Sequence, residues 1–292
     1  MNYVFYLHDE PSLEQFEKKI IFLAKRYNFI SYETLSNSIR NVVNLKNTCH
    51  ITVDDGWLST YKVIYPIMTK YNIPFTIFVS PEICKTCRNF WYKDLVGADQ
   101  NYIREMLINA GIYKTGIKKF PVDLLFKEIS IDTVYKILDE YWLIHSKEKR
   151  SERSFINISE LKEMHNSGLV EIGAHTLTHP ILANENELRS EYEIIESISQ
   201  LSSLLNKEIT AFAYPNGLNN LDFGKREMDI VKKAGIKLAF SVNPGIINNK
   251  INPLAIPRIG SINRLRFGRL GAYLPSLTHQ KEIRQEIKKY LV

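Results

Sequence analysis

The sequence predicts an alternating α/β fold, a parallel sheet curled into an irregular (β/α) barrel. Three observations carry this. Short apolar runs alternate with amphipathic helical stretches along the 292-residue chain, and such alternation implies a parallel sheet. The number and length of the runs suit a closed barrel. The polar residues able to do chemistry follow directly after such runs, at the strand ends where parallel α/β folds build their sites.

Tyr3–Leu7 reads as the first strand. Within Ser12–Arg26, Leu13, Phe16, Ile20 and Leu23 recur at three- and four-residue spacing, as on one face of a helix. Cys49–Val53 is a second strand, and Ser59–Tyr71 a helix kinked or interrupted at Pro66. Phe75–Val79 is a third strand. From Cys84 to about Ile158 the rhythm breaks: this stretch is mainly helical, has no clear strand, and reads as an insertion packed beside the barrel. Strand Val170–Ala174, helix Glu185–Leu205 and strand Thr210–Ala213 resume the alternation. Helix Asp222–Ala234, stopped by Gly235, strand Lys237–Val242 and a basic helix Glu282–Tyr290 complete it. The expected organisation is one barrel domain over 1–270, with the insertion at about 84–158, and a basic C-terminal helix at 271–292.

Apolar residues make up 45% and charged residues 24% of the chain, which excludes a disordered protein and allows a sizeable core. The net charge of +6 is concentrated in 264–292, where seven Lys and Arg face two acidic residues. Such a tail can meet anionic lipid, an acidic glycan or nucleic acid; its simplest reading is a solvated helix face. Nothing else supports a nucleic-acid partner, since no reading module is present. The three cysteines, Cys49, Cys84 and Cys87, are too few for a disulfide framework. Cys84 and Cys87 have CxxC spacing but no second pair, and read as ordinary thiols. The N-terminal stretch lacks the basic and apolar regions of a secretory leader, and no run of 18 apolar residues exists. A cytoplasmic location is the expectation.

Three stretches carry chemistry. Thr52-Val53-Asp54-Asp55-Gly56 puts adjacent carboxylates after a strand. On an extended chain they point to opposite sides, so one can bind a metal while the other faces the reacting atom. His175-Thr176-Leu177-Thr178-His179-Pro180 places two imidazoles four residues apart, which a helix or a tight loop brings onto one side. Together Asp55, His175 and His179 make a His₂-carboxylate set with positions left for water and substrate, the apparatus for hydrolysing an amide or ester. Ala213-Tyr214-Pro215-Asn216-Gly217 ends a strand in a turn. By itself it reads as a plain turn, although such a turn can aim an N–H at a developing oxyanion.

This pattern resembles the NodB-homology polysaccharide deacetylases, carbohydrate esterase family 4, from about His8 to Arg258. The Thr52–Gly56 stretch looks like the family's TFDDG, and His175–Pro180 like its H-[ST]-x-x-H-P. The resemblance implies a NodB-type barrel and a metal-dependent hydrolase that removes N-acetyl groups from an amino sugar. Asp54 would be the general base. Asp55, His175 and His179 would hold a divalent metal, with Zn²⁺ the expected ion and Co²⁺ or Ni²⁺ the alternatives. Phe212–Gly217 matches the third motif, close to F-R-P-P-Y-G, and implies that the Asn216 N–H sits in an oxyanion hole.

Two departures qualify the likeness. The third motif's Arg is Ala213 here, and the C-terminal L-x-H motif that supplies an acid His is replaced by Leu254-Ala255-Ile256. A circularly permuted subgroup, the poly-N-acetylglucosamine deacetylases, resembles this chain in both respects. It carries FAYP in the third motif and its acid His in an N-terminal L-M-Y-H-D strand, which Tyr6-Leu7-His8-Asp9 parallels. That resemblance makes His8 the general acid. Arg258 is expected to replace the missing Arg and pair with Asp54. His50, His145, His165 and His279 have no partner pattern and read as structural or exposed. The expected substrate is an acetylated amino-sugar glycan or a lipid-linked sugar, with peripheral inner-membrane contact through the basic tail. An O-acetyl esterase, another amide metallohydrolase and a non-catalytic sugar-binding relative are the alternatives.

Overall fold

A computed structural model describes residues 1–40, 45–145, 153–248, 250–260 and 273–292. In chain order, β1 (Tyr3–Leu7), α1 (Leu13–Ala24), β2 (Asn28–Phe29), α2 (Tyr32–Ile39), β3 (Thr48–Val53), α3 (Tyr65–Lys70) and β4 (Phe75–Val79) begin the fold. A helical stretch follows: α4 (Pro81–Thr86), α5 (Trp91–Asp94), α6 (Gln100–Asn109), α7 (Val122–Phe126) and α8 (Ile131–Ile144). The alternation resumes with α9 (Ile158–Asn166), β5 (Val170–Ala174), α10 (Glu187–Leu205), β6 (Ala211–Ala213), α11 (Lys225–Lys233), β7 (Leu238–Phe240) and β8 (Ile259–Gly260). The last helix is α12 (Tyr273–Ile287).

The sheet is parallel, in the order β7-β6-β5-β4-β3-β1-β8, with β2 beside β3. Its two edges meet. Ile256 bridges Phe240 in parallel, and the Arg258 N–H donates to Asn243 O at 3.0 Å. Immediately after Arg258, Ile259 and Gly260 pair with Phe5 and Tyr6. The segment 256–260 therefore spans from β7 to β1 and closes the barrel expected from sequence.

Local chemistry explains the helices. Ser12 caps α1 by accepting the Gln15 N–H, and Phe16, Ile20 and Leu23 bury its inner face. Pro66 has no N–H to give, and a π-helical turn, Thr60–Ile64, precedes it. Asn157 and Glu160 form a reciprocal capping box at the start of α9. Asn206 ends α10 in the left-handed region at φ 48°.

Strand alternation divides the packing. Phe5 and Leu7 join Phe16 and Ile20 in the layer between sheet and helices, while Val4 packs with Phe78, Ala211 and Phe240. Gly173 of β5 sits where any Cβ would stand 2.5 Å from the Phe78 ring. The helical stretch between β4 and β5, expected from sequence as an insertion, builds a second apolar core running from Trp91 to Trp142.

That core also takes in Ile287, which corrects the reading of the C-terminal helix as a solvated face. α12 begins nine residues before the expected Glu282, with Pro275 in its first turn where a missing N–H costs little. Arg284 is buried against Glu128 and Asp222. A guanidinium flanked by two buried carboxylates is held inward, and the apolar face of the same helix covers the insertion. Arg264, Arg266, Arg269 and the proposed boundary at 270 lie outside the described residues. Among the described residues no helix is long and apolar enough to cross a membrane.

Candidate metal centre

β3 delivers the paired carboxylates to the mouth of the barrel. Its register with β1 continues one residue further, as the Asp54 N–H donates to Leu7 O at 2.9 Å. The chain is not extended beyond that point, contrary to expectation. Asp55 is left-handed at φ 71° and Gly56 at φ 68°, so the sharp turn begins on the second aspartate. The turn, rather than strand alternation, gives the two side chains different partners.

Asp54 meets Arg258. The guanidinium donates to Oδ1 at 2.7 Å and to Oδ2 at 2.8 Å, a two-pronged ion pair with both groups buried. Arg258 also donates to Ser241 O and Thr52 Oγ1, and its flat group lies 4.9 Å from the centre of the Tyr6 ring. Burial pushes the Asp54 carboxyl up, but the charge and hydrogen bonds of Arg258, helped by His175 and His8, outweigh it and hold it below its ordinary value.

Asp55 meets the two imidazoles. Its Oδ1 stands 3.3 Å from His175 Nε2 and 3.4 Å from His179 Nε2, and it accepts no hydrogen bond. Its other oxygen accepts from Trp57 Nε1 at 3.1 Å. Burial opposes the charge on Asp55, but contacts with His175 and His179 win, leaving its carboxyl well below the ordinary range. Burial lowers the His179 pKa, favouring the neutral ring that a metal ligand requires.

These three donors fit a divalent ion. All lie within 4.8 Å of one another and are buried. Donors about 2.1 Å from an ion at tetrahedral angles stand about 3.4 Å apart, as Asp55 Oδ1 does from each imidazole. The His175 ring donates through Nδ1 to Ala213 O at 2.7 Å, which leaves Nε2 as a lone-pair donor.

The loop carrying the histidines is tight and not helical, with Thr176 and His179 both at φ 62°. Thr176 Oγ1 accepts the His179 N–H. Glu193 of α10 reaches under the loop, accepting the Leu177 and Thr178 N–H groups at 2.9 and 3.0 Å and the Thr178 hydroxyl at 2.6 Å.

The remaining expected residues surround a cavity of about 500 Å³ that the metal set also lines. His8, just past β1, is exposed at its edge and meets the Tyr6 ring edge-on. Asn216 lines it in the left-handed region at φ 56°, and its N–H donates to no described residue. The sequence reading missed three contributors. Trp57 stands two residues after Asp55, a position that could have flagged it. Tyr92 comes from the insertion, its ring 5.3 Å from His179 and its buried hydroxyl without a hydrogen bond. Glu193 carries no sequence signal, being one acid among several on α10.

Fold and site together define a (β/α) barrel with three donors that could hold a metal ion beside an arginine-held carboxylate. Comparison with known proteins sharpens this. The polysaccharide deacetylase family description matches residues 42–112 and 130–240, more than half of the chain, and the protein belongs to that family. A poly-β-1,6-N-acetyl-D-glucosamine N-deacetylase of Staphylococcus aureus is 34% identical over 112 residues, a match spanning 36% of this chain and 37% of that relative. A Streptococcus pyogenes deacetylase, PplD, solved with acetate, superposes with a TM-score of 0.58 at 19% identity, covering 89% of this chain and 91% of that one. IcaB from Ammonifex degensii gives the same TM-score and coverage at 16% identity. At these identities the two structures establish the fold, a NodB-type barrel.

Proposed function

We propose that this protein is a metal-dependent hydrolase that removes the N-acetyl group from an amino sugar of a bacterial glycan. The observation that carries the reading is the convergence of Asp55 Oδ1 with both imidazole nitrogens beside an Asp54 already fixed by Arg258. The name of the staphylococcal relative makes N-acetylglucosamine the first sugar to test.

Asp55, His175 and His179 hold the ion, proposed to be Zn²⁺. When bound, it supplies Lewis acidity, lowering the pKa of water and polarising the acetyl carbonyl. Asp54, kept ionised by Arg258, accepts a proton from the attacking water. The Asn216 N–H donates to the carbonyl oxygen as negative charge grows there. His8 gives a proton to the departing nitrogen, so acetate and a free amine result. Trp57, donating to the outer oxygen of Asp55, keeps its Oδ1 turned toward the imidazoles.

The proposed setting is the cytoplasm, on a glycan or lipid-linked precursor. The basic tail supports membrane contact less than its composition suggests, because Arg284 is buried and Lys288 approaches Glu128 at 3.3 Å.

The test is acetate release from N-acetylated and O-acetylated saccharides with Zn²⁺ or Co²⁺, comparing wild type with Asp54→Asn. Metal-dependent release from the N-acetyl substrates, lost in the variant, is expected. Release from O-acetyl substrates alone would replace the amide by an ester; no release from either would remove the deacetylase reading.

A further inference from the structure

The cavity beside the metal set has a wall that no motif announces. The family match ends at residue 240, yet Gln280 and Arg284 of α12 line the same space as Asp54, His175 and Asn216. Asp123 and Lys127, on α7 and at its end, line it with them.

α12 is fastened at this place. Arg284 contacts Glu128 of the insertion and Asp222 of the loop after β6, and donates to Lys127 O at 2.9 Å. Arg284 side-chain exposure is 2% and that of both carboxylates 0%. Separating such buried charges leaves each without a counter-ion, so the cluster resists opening. Ile287, one turn along, sits in the apolar core of the insertion. The helix is a fixed wall tied at once to the insertion and to the barrel. The same Asp222 accepts the Leu218 N–H at 2.8 Å, two residues past Asn216, so the wall and the oxyanion turn share one support.

We propose that α7 and α12 close one end of the substrate cleft, so that the site accepts a short N-acetylated saccharide or a chain end and excludes the interior of a long polymer. This rests on the de-N-acetylase reading. A polymer bound at an internal residue must leave the cleft at both ends. Here Asp123, Lys127, Gln280 and Arg284 line the same cavity as Trp57, Tyr92 and the metal set. Its volume of about 500 Å³ lies in the range of small-ligand pockets.

The experiment measures binding as well as turnover. The metal-loaded Asp54→Asn variant is titrated with β-1,6-linked N-acetylglucosamine oligomers from the monosaccharide to the hexasaccharide, following the fluorescence of Trp57 and Trp91, which line the cavity. Affinity is expected to level off by the trisaccharide. A further gain of about tenfold or more toward the hexasaccharide means contacts continue past the wall and overturns the closed end. No binding at any length, together with no acetate released from any N-acetylated saccharide, overturns the de-N-acetylase reading itself. With wild-type enzyme, mass spectrometry of partly converted hexasaccharide should find the free amine on a terminal residue; internal free amines count against the proposal. Gln280→Trp, at an exposed position on α12, should weaken the trisaccharide more than the monosaccharide. An equal effect on both would contradict a wall at that place.

Discussion

Replacing Arg258 with lysine keeps its positive charge and removes its fork; replacing it with methionine removes both. In the native site the guanidinium holds the two oxygens of Asp54 at 2.7 and 2.8 Å, and the two side chains are 0% and 3% exposed. Breaking a buried pair by deleting one partner costs about 3–5 kcal/mol. Arg258→Met falls near the lower end, because the thioether retains packing against Tyr6, Phe78 and Phe240. Arg258→Lys retains a counter-charge, but an ammonium cannot grip both oxygens in one plane. Asp54 then loses its fixed orientation, and a base displaced by about 1 Å costs about 100-fold in rate. The pH dependence has a definite sign. Burial raises the Asp54 pKa and Arg258 lowers it, so without Arg258 the burial effect prevails and the carboxylate protonates at higher pH. The acid limb of the rate–pH profile of Arg258→Met therefore moves upward. Acetate release across pH, with thermal unfolding of each variant, measures all three effects. An Arg258→Lys enzyme within about twofold of wild type in kcat, together with an unmoved acid limb in Arg258→Met, would refute the role assigned to this pair.

Three further outcomes are expected. His50 is fully buried, its ring between Ile30 O and Thr76 Oγ1, and burial lowers its pKa from 6.5 to about 4. The unfolded chain thus binds this proton first, so stability is full above pH 6.5 and falls by about 3 kcal/mol on descent to pH 4; urea unfolding at both ends of that window should show a smaller loss in His50→Gln. Glu193→Gln weakens the grip on the Leu177 and Thr178 N–H groups, and metal affinity should fall about 10-fold or more in a competition titration; unchanged affinity would deny that this acid shapes the histidine loop. Gly173→Ala forces a Cβ to 2.5 Å from Phe78 and 2.9 Å from Ala211 O, costing about 1–3 kcal/mol in chemical unfolding, and an unaltered midpoint would show that the barrel wall yields there.

Strands β1, β4 and β5 were legible to the residue, because each is a short, largely apolar run that stops at a polar residue. The grouping of Asp55, His175 and His179 was legible because the carboxylate pair and the two histidines each follow a strand. Arg258 could be matched to Asp54 only by reasoning about what the third motif lacks, not by any local pattern. β8 escaped, since two residues after a proline give no periodicity to read. Glu193 escaped for a related reason: helical spacing marks apolar faces, and a buried acid on α10 looks like its solvated neighbours until the loop above it is placed. Arg284 misled, since net charge says nothing about which cations find buried carboxylates.

The closure of the barrel also sets an order of events during synthesis. Arg258 lies 204 residues beyond Asp54 in the chain, and the segment that joins the sheet edges begins at Ile256. While the ribosome is still making that last stretch, the nascent chain has its proton acceptor but not the cation that steadies it. Loop-closure entropy makes such distant contacts late to form. The enzyme should therefore stay silent until translation has passed the final strand. A prematurely terminated product that ends before residue 256 would expose two unpaired sheet edges to its neighbours. The site can become competent only after the segment from Ile256 to Arg258 has been made.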